Sequence, residues 1–410
     1  MILRDYQKDI VNKGLPILNK NKFLYLAMEV RTGKTATSLS MVSSLPVTDC
    51  LFLTKKKAIS SIQDDYDKLN LSYNLTVINY ESIHKLPKNK WQCIILDEAH
   101  GLGAFPKASK RAKQVKTLIV SNKSYVILLS GTPTPESYSQ MYHQVYGIPS
   151  NPYCQYKNFY RFSDHYVNVR IRPIGGIQIR DYSRGSEDII YRMKPYTISY
   201  TQKEAGFKVE TNEETLYVET PSKIKSIIKK LTTDLVVQGK EEVILADTAV
   251  KLMSKTHQLY SGTVKFESGK SMVIDTFKAE YIKNKFKGKK IAIFYKFTAE
   301  WEALKLIFKD NICNTLDEFN NTDKTIALQI VSGREGISLR KAEALVYYNI
   351  DFSATSYWQS RDRMTTKDRL YNKVYWIFSK NGIEDSIYKS VVKKKDYTLR
   401  HFKRDLLTLN

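Results

Sequence analysis

Met28-Glu29-Val30-Arg31-Thr32-Gly33-Lys34-Thr35 follows the apolar run Phe23-Leu24-Tyr25-Leu26-Ala27 and precedes a stretch with neither Gly nor Pro until Pro46. That order predicts a buried strand, a tight turn and the start of a helix. A phosphate-binding loop has this layout. Gly33 lets backbone amides close on an anion, Lys34 carries a point charge to the outer phosphates, and the Thr35 hydroxyl can ligate magnesium. Arg31 and Thr32 lie inside the same turn. The match to Gly-x-x-x-x-Gly-Lys is incomplete, because the first Gly falls at Met28. Taken alone, the tripeptide fits an ordinary Gly turn with a solvated Lys equally well.

The surrounding sequence supplies the context. Apolar runs of strand length recur at 23–27, 50–53, 76–78, 93–96 and 125–129, several of them separated by segments compatible with helices. This predicts an α/β fold with a parallel sheet and helical crossovers. Each run ends on residues of chemical interest: Lys34 and Thr35, Thr54 and Lys55, Tyr80 to Ser82, Asp97 and Glu98, and 130–133. Ligands collect at the carboxyl ends of strands in open parallel sheets, so these separate stretches converge on one crevice. Asp97-Glu98 pairs two carboxylates after a buried strand. Asp97 is placed to hold magnesium and Glu98 to orient and deprotonate an attacking water. The plain alternative is a helix N-terminus, where acids suit the dipole.

The chain has 410 residues, enough for two domains and a smaller insertion, with hydrophobic content of 42% and charged content of 26% typical of a globular protein. A net charge of +23 implies a polyanionic partner if it is focused. Runs such as Lys55-Lys56-Lys57 and Lys393-Lys394-Lys395 also read as solvated faces. Cys50, Cys93, Cys154 and Cys313 are widely separated, which predicts neither a zinc site nor a disulfide framework and fits a reducing cytoplasm. No signal peptide or membrane span is expected.

With these residues in place, the sequence resembles superfamily 2 helicases, and among them the Swi/Snf-type DNA-dependent ATPases, compact bacteriophage-encoded members in particular. Leu3-Arg4-Asp5-Tyr6-Gln7 resembles the opening Leu-x-x-Tyr-Gln, whose Gln reads adenine. Asp97-Glu98-Ala99-His100 is the second motif, a DEAH box, and Ser130-Gly131-Thr132-Pro133 resembles the Thr-Gly-Thr-Pro third motif. Ser332-Gly333-Arg334-Glu335-Gly336-Ile337-Ser338-Leu339 resembles the fifth motif, where small residues let the backbone approach nucleic acid and ATP. Gln359-Ser360-Arg361-Asp362-Arg363 resembles the sixth, Gln-x-x-Asp-Arg. The resemblance reaches from Leu3 to about Lys395.

The resemblance implies two RecA-like parallel-sheet lobes with helical protrusions inserted between them, binding ATP and Mg2+ and tracking along DNA. It implies ATP contacts from Gln7, Arg31, Thr32, Gly33, Lys34, Thr35, Gly336 and Arg363, with Thr35 and Asp97 on the metal. Lys34, Glu98, Gln359 and Arg363 would be catalytic, while Thr54, Lys55, Tyr80, Ser82, Ser332 and Gly333 would contact the nucleic-acid backbone. The second Arg of the sixth motif is Thr366 here, so the arginine finger is Arg363, Arg361 or a residue after Thr366.

The expected organisation is an ATP-binding lobe at 1–150, a connecting region at 151–265, a second lobe at 266–385 and a basic helical tail at 386–410. Residues 167–181 alternate around Gly175-Gly176 and predict a hairpin, read as structural first. Helices are expected across 223–259, where His257 is a packed or capping residue rather than a metal ligand. Strands are expected at 291–294, 325–330, 344–348 and 373–378, with a helix at 298–308. The reading is an ATP-dependent DNA translocase. A strand-separating DNA or RNA helicase and a nucleic-acid-binding protein with weak turnover are the alternatives.

Overall fold

Phe23–Met28 is buried at every position, the signature of a strand covered on both faces. In the computed structural model, which describes residues 1–392 except 88, 175–176, 209, 240, 334–336, 367–368 and 390, this strand is β1 of a six-stranded sheet. The chain divides into two units, Met1–Gly206 and Phe207–Lys393.

In the first unit, β1 is joined by β2 (Asp49–Thr54), β3 (Asn74–Asn79), β4 (Cys93–Leu96), β5 (Tyr125–Leu129) and a short edge strand β8 (Thr197–Tyr200). Their order is β3-β2-β4-β5-β1-β8, and every neighbouring pair is parallel. The crossovers are α2 (Lys34–Val42), α3 (Ile59–Leu69) and α4 (Lys110–Asn122), preceded by α1 (Asp5–Asn21). Two apolar layers flank the sheet, one led by Tyr25, Leu51 and Leu128, the other by Leu24, Phe52 and Ile127. Register matters for function. Leu53 pairs with Leu96, so Thr54 and Asp97 emerge side by side at the sheet's carboxyl edge. Beyond β5 lie α5 (Met141–Gln144), α6 (Phe159–Tyr166) and the antiparallel hairpin of β6 (Arg170–Ile174) and β7 (Ile177–Asp181). The closing pair is Ile174 with Ile177, and its expected turn residues Gly175 and Gly176 lie outside the described residues. α7 (Asp188–Met193) leads into β8.

The second unit repeats the plan. β9 (Glu210–Val218), β14 (Ile291–Tyr295), β15 (Ile312–Cys313), β16 (Thr325–Gln329), β17 (Ala344–Tyr347) and β18 (Tyr371–Ser379) form a parallel sheet in the order β15-β16-β14-β17-β18-β9. It is flanked by α10 (Phe277–Lys285), α11 (Thr298–Phe308), α12 (Leu316–Asn321), α13 (Ile330–Gly333) and α14 (Ala354–Arg361). Between β9 and β14 sits a small satellite built from α8 (Ser222–Asp234), α9 (Ala249–Tyr260) and two hairpins, β10 (Val236–Gln238) with β11 (Val243–Leu245) and β12 (Thr263–Lys265) with β13 (Ser271–Val273). Its own core holds Ile224, Leu231, Leu259 and Val264.

The α/β fold of two parallel sheets is as expected. The connecting region is not a separate body. β8 and β9, both inside 151–265, complete one sheet each, because each pairs along one side with an inner strand, β1 and β18 respectively. The strands interrupting 223–259 differ from the all-helical expectation for the same reason: they pair with each other. Of the expected tail, residues 393–410 lie outside the described residues. Glu384, of the closing Ile-Glu segment, is fully buried, and its Oε1 accepts a hydrogen bond from Lys278 Nζ at 2.7 Å. No helix among the described residues is long and apolar enough to cross a membrane.

His257 fastens the satellite to the sheet. Its Nε2 lies 2.5 Å from Asn349 Oδ1, and Asn349 Nδ2 donates to Glu300 Oε1 at 2.6 Å. Because Oδ1 can only accept, Nε2 carries the proton, and Nδ1 is buried with no partner. Burial, with Lys296 next in effect, pushes His257 down to about 3. It is therefore a packed neutral histidine, as expected. Unfolded, it titrates near 6.5, so the unfolded state binds the extra proton between the two values. Stability is then full above about 6.5 and falls with pH below it, by up to about 1.4 kcal/mol per unit. Urea unfolding of the parent and His257→Gln at pH 7, 6 and 5 should show a flatter acid limb in the variant. Parallel limbs would contradict this origin.

Candidate functional site

Two residues of the loop after β1 are left-handed, Arg31 at φ 66° and Gly33 at φ 82°. The turn they make starts α2 at Lys34, with Gly33 at the N-cap position. The N-terminal turn of α2 thus faces the loop with its amide donors, the arrangement that suits phosphate. The loop is held from several sides. Thr32 Oγ1 donates to Glu29 O at 2.7 Å, Tyr6 OH donates to Thr32 O at 3.0 Å, and Gln7 Nε2 donates to Gly33 O at 3.3 Å. The left-handed conformation at position 33 favours glycine, and a Cβ there would displace the Gln7 amide from the loop. Gln7 is buried, and its Oε1 accepts from Arg4 N at 2.9 Å. Gln7 therefore braces the loop directly.

Asp97 and Glu98 stand at the end of β4, Glu98 itself left-handed at φ 48°. Asp97 Oδ2 accepts from Thr54 Oγ1 at 2.8 Å, and its carbonyl accepts from Tyr80 OH at 2.6 Å. Burial, then the Glu98 charge, push Asp97 up to about 6, while Thr54 and the Lys34 ammonium oppose the rise. Lys34, Asp97 and Glu98 are thus in electrostatic range of one another at one sheet edge. The Asp97 carboxylate and the hydroxyl of Thr35, next to Lys34, are hard oxygen donors of the kind magnesium takes. Glu98 Oε2 lies 3.3 Å from His100 Nδ1, which is 3.0 Å from Ser130 Oγ, and that hydroxyl also accepts from Thr132 N at 3.1 Å. The second and third motifs are therefore in direct contact.

The residues expected on the nucleic-acid track divide. Thr54 is buried and its hydroxyl is committed to Asp97; Tyr80 is buried and committed to the same residue. Both support the acid rather than pointing outward. Lys55 and Ser82 are partly exposed on the segments that follow β2 and β3. Gly333 is buried, and a Cβ there would lie 2.8 Å from Leu328 Cβ and 3.0 Å from the Phe294 ring, so its smallness serves core packing of α13. Gly336 lies outside the described residues, as do Arg334 and Glu335; Ser332 and Gln359 lie on α13 and α14 with their side chains outside the description.

In the second unit the three arginine candidates are separated by their partners. Arg361 Nη1 donates to Glu213 Oε1 at 2.8 Å, and Glu213 Oε2 also accepts from Tyr357 OH at 2.6 Å and Trp376 Nε1 at 3.1 Å. Arg369 donates to the carbonyls of Arg340, Ala342, Glu343 and Tyr371. Arg363 is largely buried, and its Nη1 is only 3.5 Å from Ile337 O, at the weak limit of a hydrogen bond. Glu213 was invisible to sequence reasoning, since its partners lie 144 to 163 residues further on. Gln202, which donates to Glu29 Oε2 from 173 residues away, was missed for the same reason. Glu213→Ala removes the acceptor of three part-buried donors, and urea unfolding should register a loss of about 2–3 kcal/mol. A loss below about 0.5 kcal/mol would make the pair incidental.

Helicase SWR1 of Candida glabrata is 24% identical over 35% of this chain, which spans only 12% of that protein. The Sulfolobus solfataricus SWI2/SNF2 ATPase core in complex with dsDNA aligns over 99% of this chain and 94% of its own at 17% identity and a TM-score of 0.43. The Sulfolobus solfataricus SWI2/SNF2 ATPase core domain aligns over 98% and 90%, at the same identity and score. The SNF2-related domain matches residues 26–259, more than half of the chain, from β1 through the acid pair to α9. The chain belongs to the SNF2-related domain family.

Proposed function

We propose that this protein hydrolyses ATP to move along duplex DNA by contacts to the backbone. The observation that carries the reading is the meeting, at one sheet edge, of a glycine-gated helix start, Lys34, and the Asp97-Glu98 pair. In this reading the α2 amides and Lys34 bind the β- and γ-phosphates. Thr35 and Asp97 hold magnesium, which when bound neutralises charge developing on the phosphates. Thr54 and Tyr80 keep Asp97 oriented. Glu98 takes the proton of the attacking water, and its contact through His100 to Ser130 connects that step to the third motif. Arg363, the closing Arg of the Gln-x-x-Asp-Arg match, is the finger in this reading. Backbone contacts carry little sequence information, and the net charge of +23 gives the association a steep salt dependence.

One observation favours a second reading. Thr366 replaces an arginine and Arg361 is engaged by Glu213, which is what a family member with weak turnover would display. That protein would bind ATP and DNA without releasing phosphate. ATP turnover compared across duplex DNA, single-stranded DNA and RNA separates the readings: duplex DNA should stimulate most. Displacement of a triplex strand without unwinding of a forked duplex is the expected companion result. Unwinding without triplex displacement would make the protein a strand-separating helicase, and binding without phosphate release would favour the second reading. Thr54→Val should lower turnover by about tenfold while Thr54→Ser retains most of it; equal turnover in Thr54→Val would remove Thr54 from the site.

A further inference from the structure

The segment through which the chain leaves the first unit is fastened to the nucleotide loop. β8 runs parallel to β1 as far as Met28 and Tyr200, and Glu29 N then donates to Tyr200 O at 2.9 Å. Past the strand, Gln202 makes a two-point clip. Its backbone amide donates to Glu29 Oε2 at 2.8 Å and its Nε2 donates to Val30 O at 2.9 Å. Tyr200 stacks on Tyr6 with ring centroids 4.8 Å apart, and Tyr6 OH holds Thr32 O. Glu29, Val30 and Thr32 are therefore each tied, directly or through one residue, to 200–202.

The same segment is stiff within itself. Glu204 Oε2 accepts from Thr201 N at 2.7 Å and Thr201 Oγ1 at 2.6 Å, while Tyr200 OH donates to Glu204 O at 3.0 Å. Ala205 N donates to Thr201 O and Gly206 N to Lys203 O, both at 3.1 Å, closing the turn. Gly206 is the last residue of the first unit, and Phe207 opens the second. A stiff turn clipped to a loop moves when the loop moves, whereas a floppy one would absorb the displacement.

We infer that Gln202 is a positioning residue that couples the nucleotide loop to the exit segment 200–206, so that the phosphate-bound state of the loop is felt where the chain passes to the second unit. The inference rests on the reading of 29–35 as an ATP-binding loop. It assigns Glu29 and Val30, loop residues without a direct phosphate role, the job of passing the signal.

Hydrogen exchange of the full chain with and without ADP and magnesium tests it, alongside steady-state ATP turnover. In the parent, ADP should slow amide exchange both at 29–37 and at 200–206. In Gln202→Ala the slowing should persist at 29–37 and disappear at 200–206. Turnover should fall about fivefold at an ATP KM within about twofold, the weight of one hydrogen bond. Gln202→Asn retains a side-chain amide that is one methylene short of Val30 O, so it should fall between the two. Unchanged unfolding midpoints by circular dichroism establish that both variants are folded. Slowing at 29–37 without slowing at 200–206 in the parent would overturn the coupling alone, as would a Gln202→Ala variant that keeps both. No slowing at 29–37 in the parent would overturn the nucleotide reading on which it depends.

Discussion

A loop that must present backbone amides to an anion cannot also bury them in its own helix, so its shape has to be imposed by its neighbours. Here Arg31 and Gly33 adopt left-handed backbone within three residues, a conformation a free chain would abandon. Tyr6 and Gln7 from α1, the carbonyl of Tyr200 and both amide groups of Gln202 hold it in place. Everything else in the first unit follows from the need to bring those holders together. The parallel sheet puts β1 between β5 and β8, so the loop leaves the sheet beside the third motif on one side and the exit segment on the other.

The acid pair answers a second physical demand. Two carboxylates on consecutive residues repel, and burial raises the cost further. Asp97 is kept useful by a donated hydrogen bond from Thr54 and by the Lys34 charge, both at the carboxyl edge of the same sheet. Glu98 escapes by turning to φ 48°, which points it toward His100 rather than along the strand. Adjacent residues thereby acquire different surroundings.

The sequence made the covered strands legible because parallel strands buried on both faces read as unbroken apolar runs, and β1, β2, β4, β5, β14 and β17 all do. The edge strands β8 and β9 did not. β9 reads Glu-Thr-Asn-Glu-Glu-Thr-Leu-Tyr-Val and β8 is four residues long, so neither carries an apolar signal; pairing alone makes them strands. Local order marks candidate chemistry at Gly33-Lys34-Thr35 and Asp97-Glu98, which the fold brings to one sheet edge. Local order does not report the direction in which a side chain turns. Thr54 and Tyr80 follow their strands as a nucleic-acid contact would, yet their hydroxyls turn inward to Asp97. Gly333 is small for the sake of Leu328 and Phe294. Glu213 and Gln202 have no local signature, because a hydrogen bond between distant segments leaves no spacing to read.

The central claim is that Glu98 performs chemistry while Lys34 and the loop perform binding. Single-turnover phosphate release measured beside nucleotide affinity, with saturating duplex DNA, tests it most directly on the parent and Glu98→Gln. The account predicts that Glu98→Gln binds ATP with an affinity within about threefold of the parent and releases phosphate at least about a hundredfold more slowly. Phosphate release at the parent rate in Glu98→Gln would contradict it.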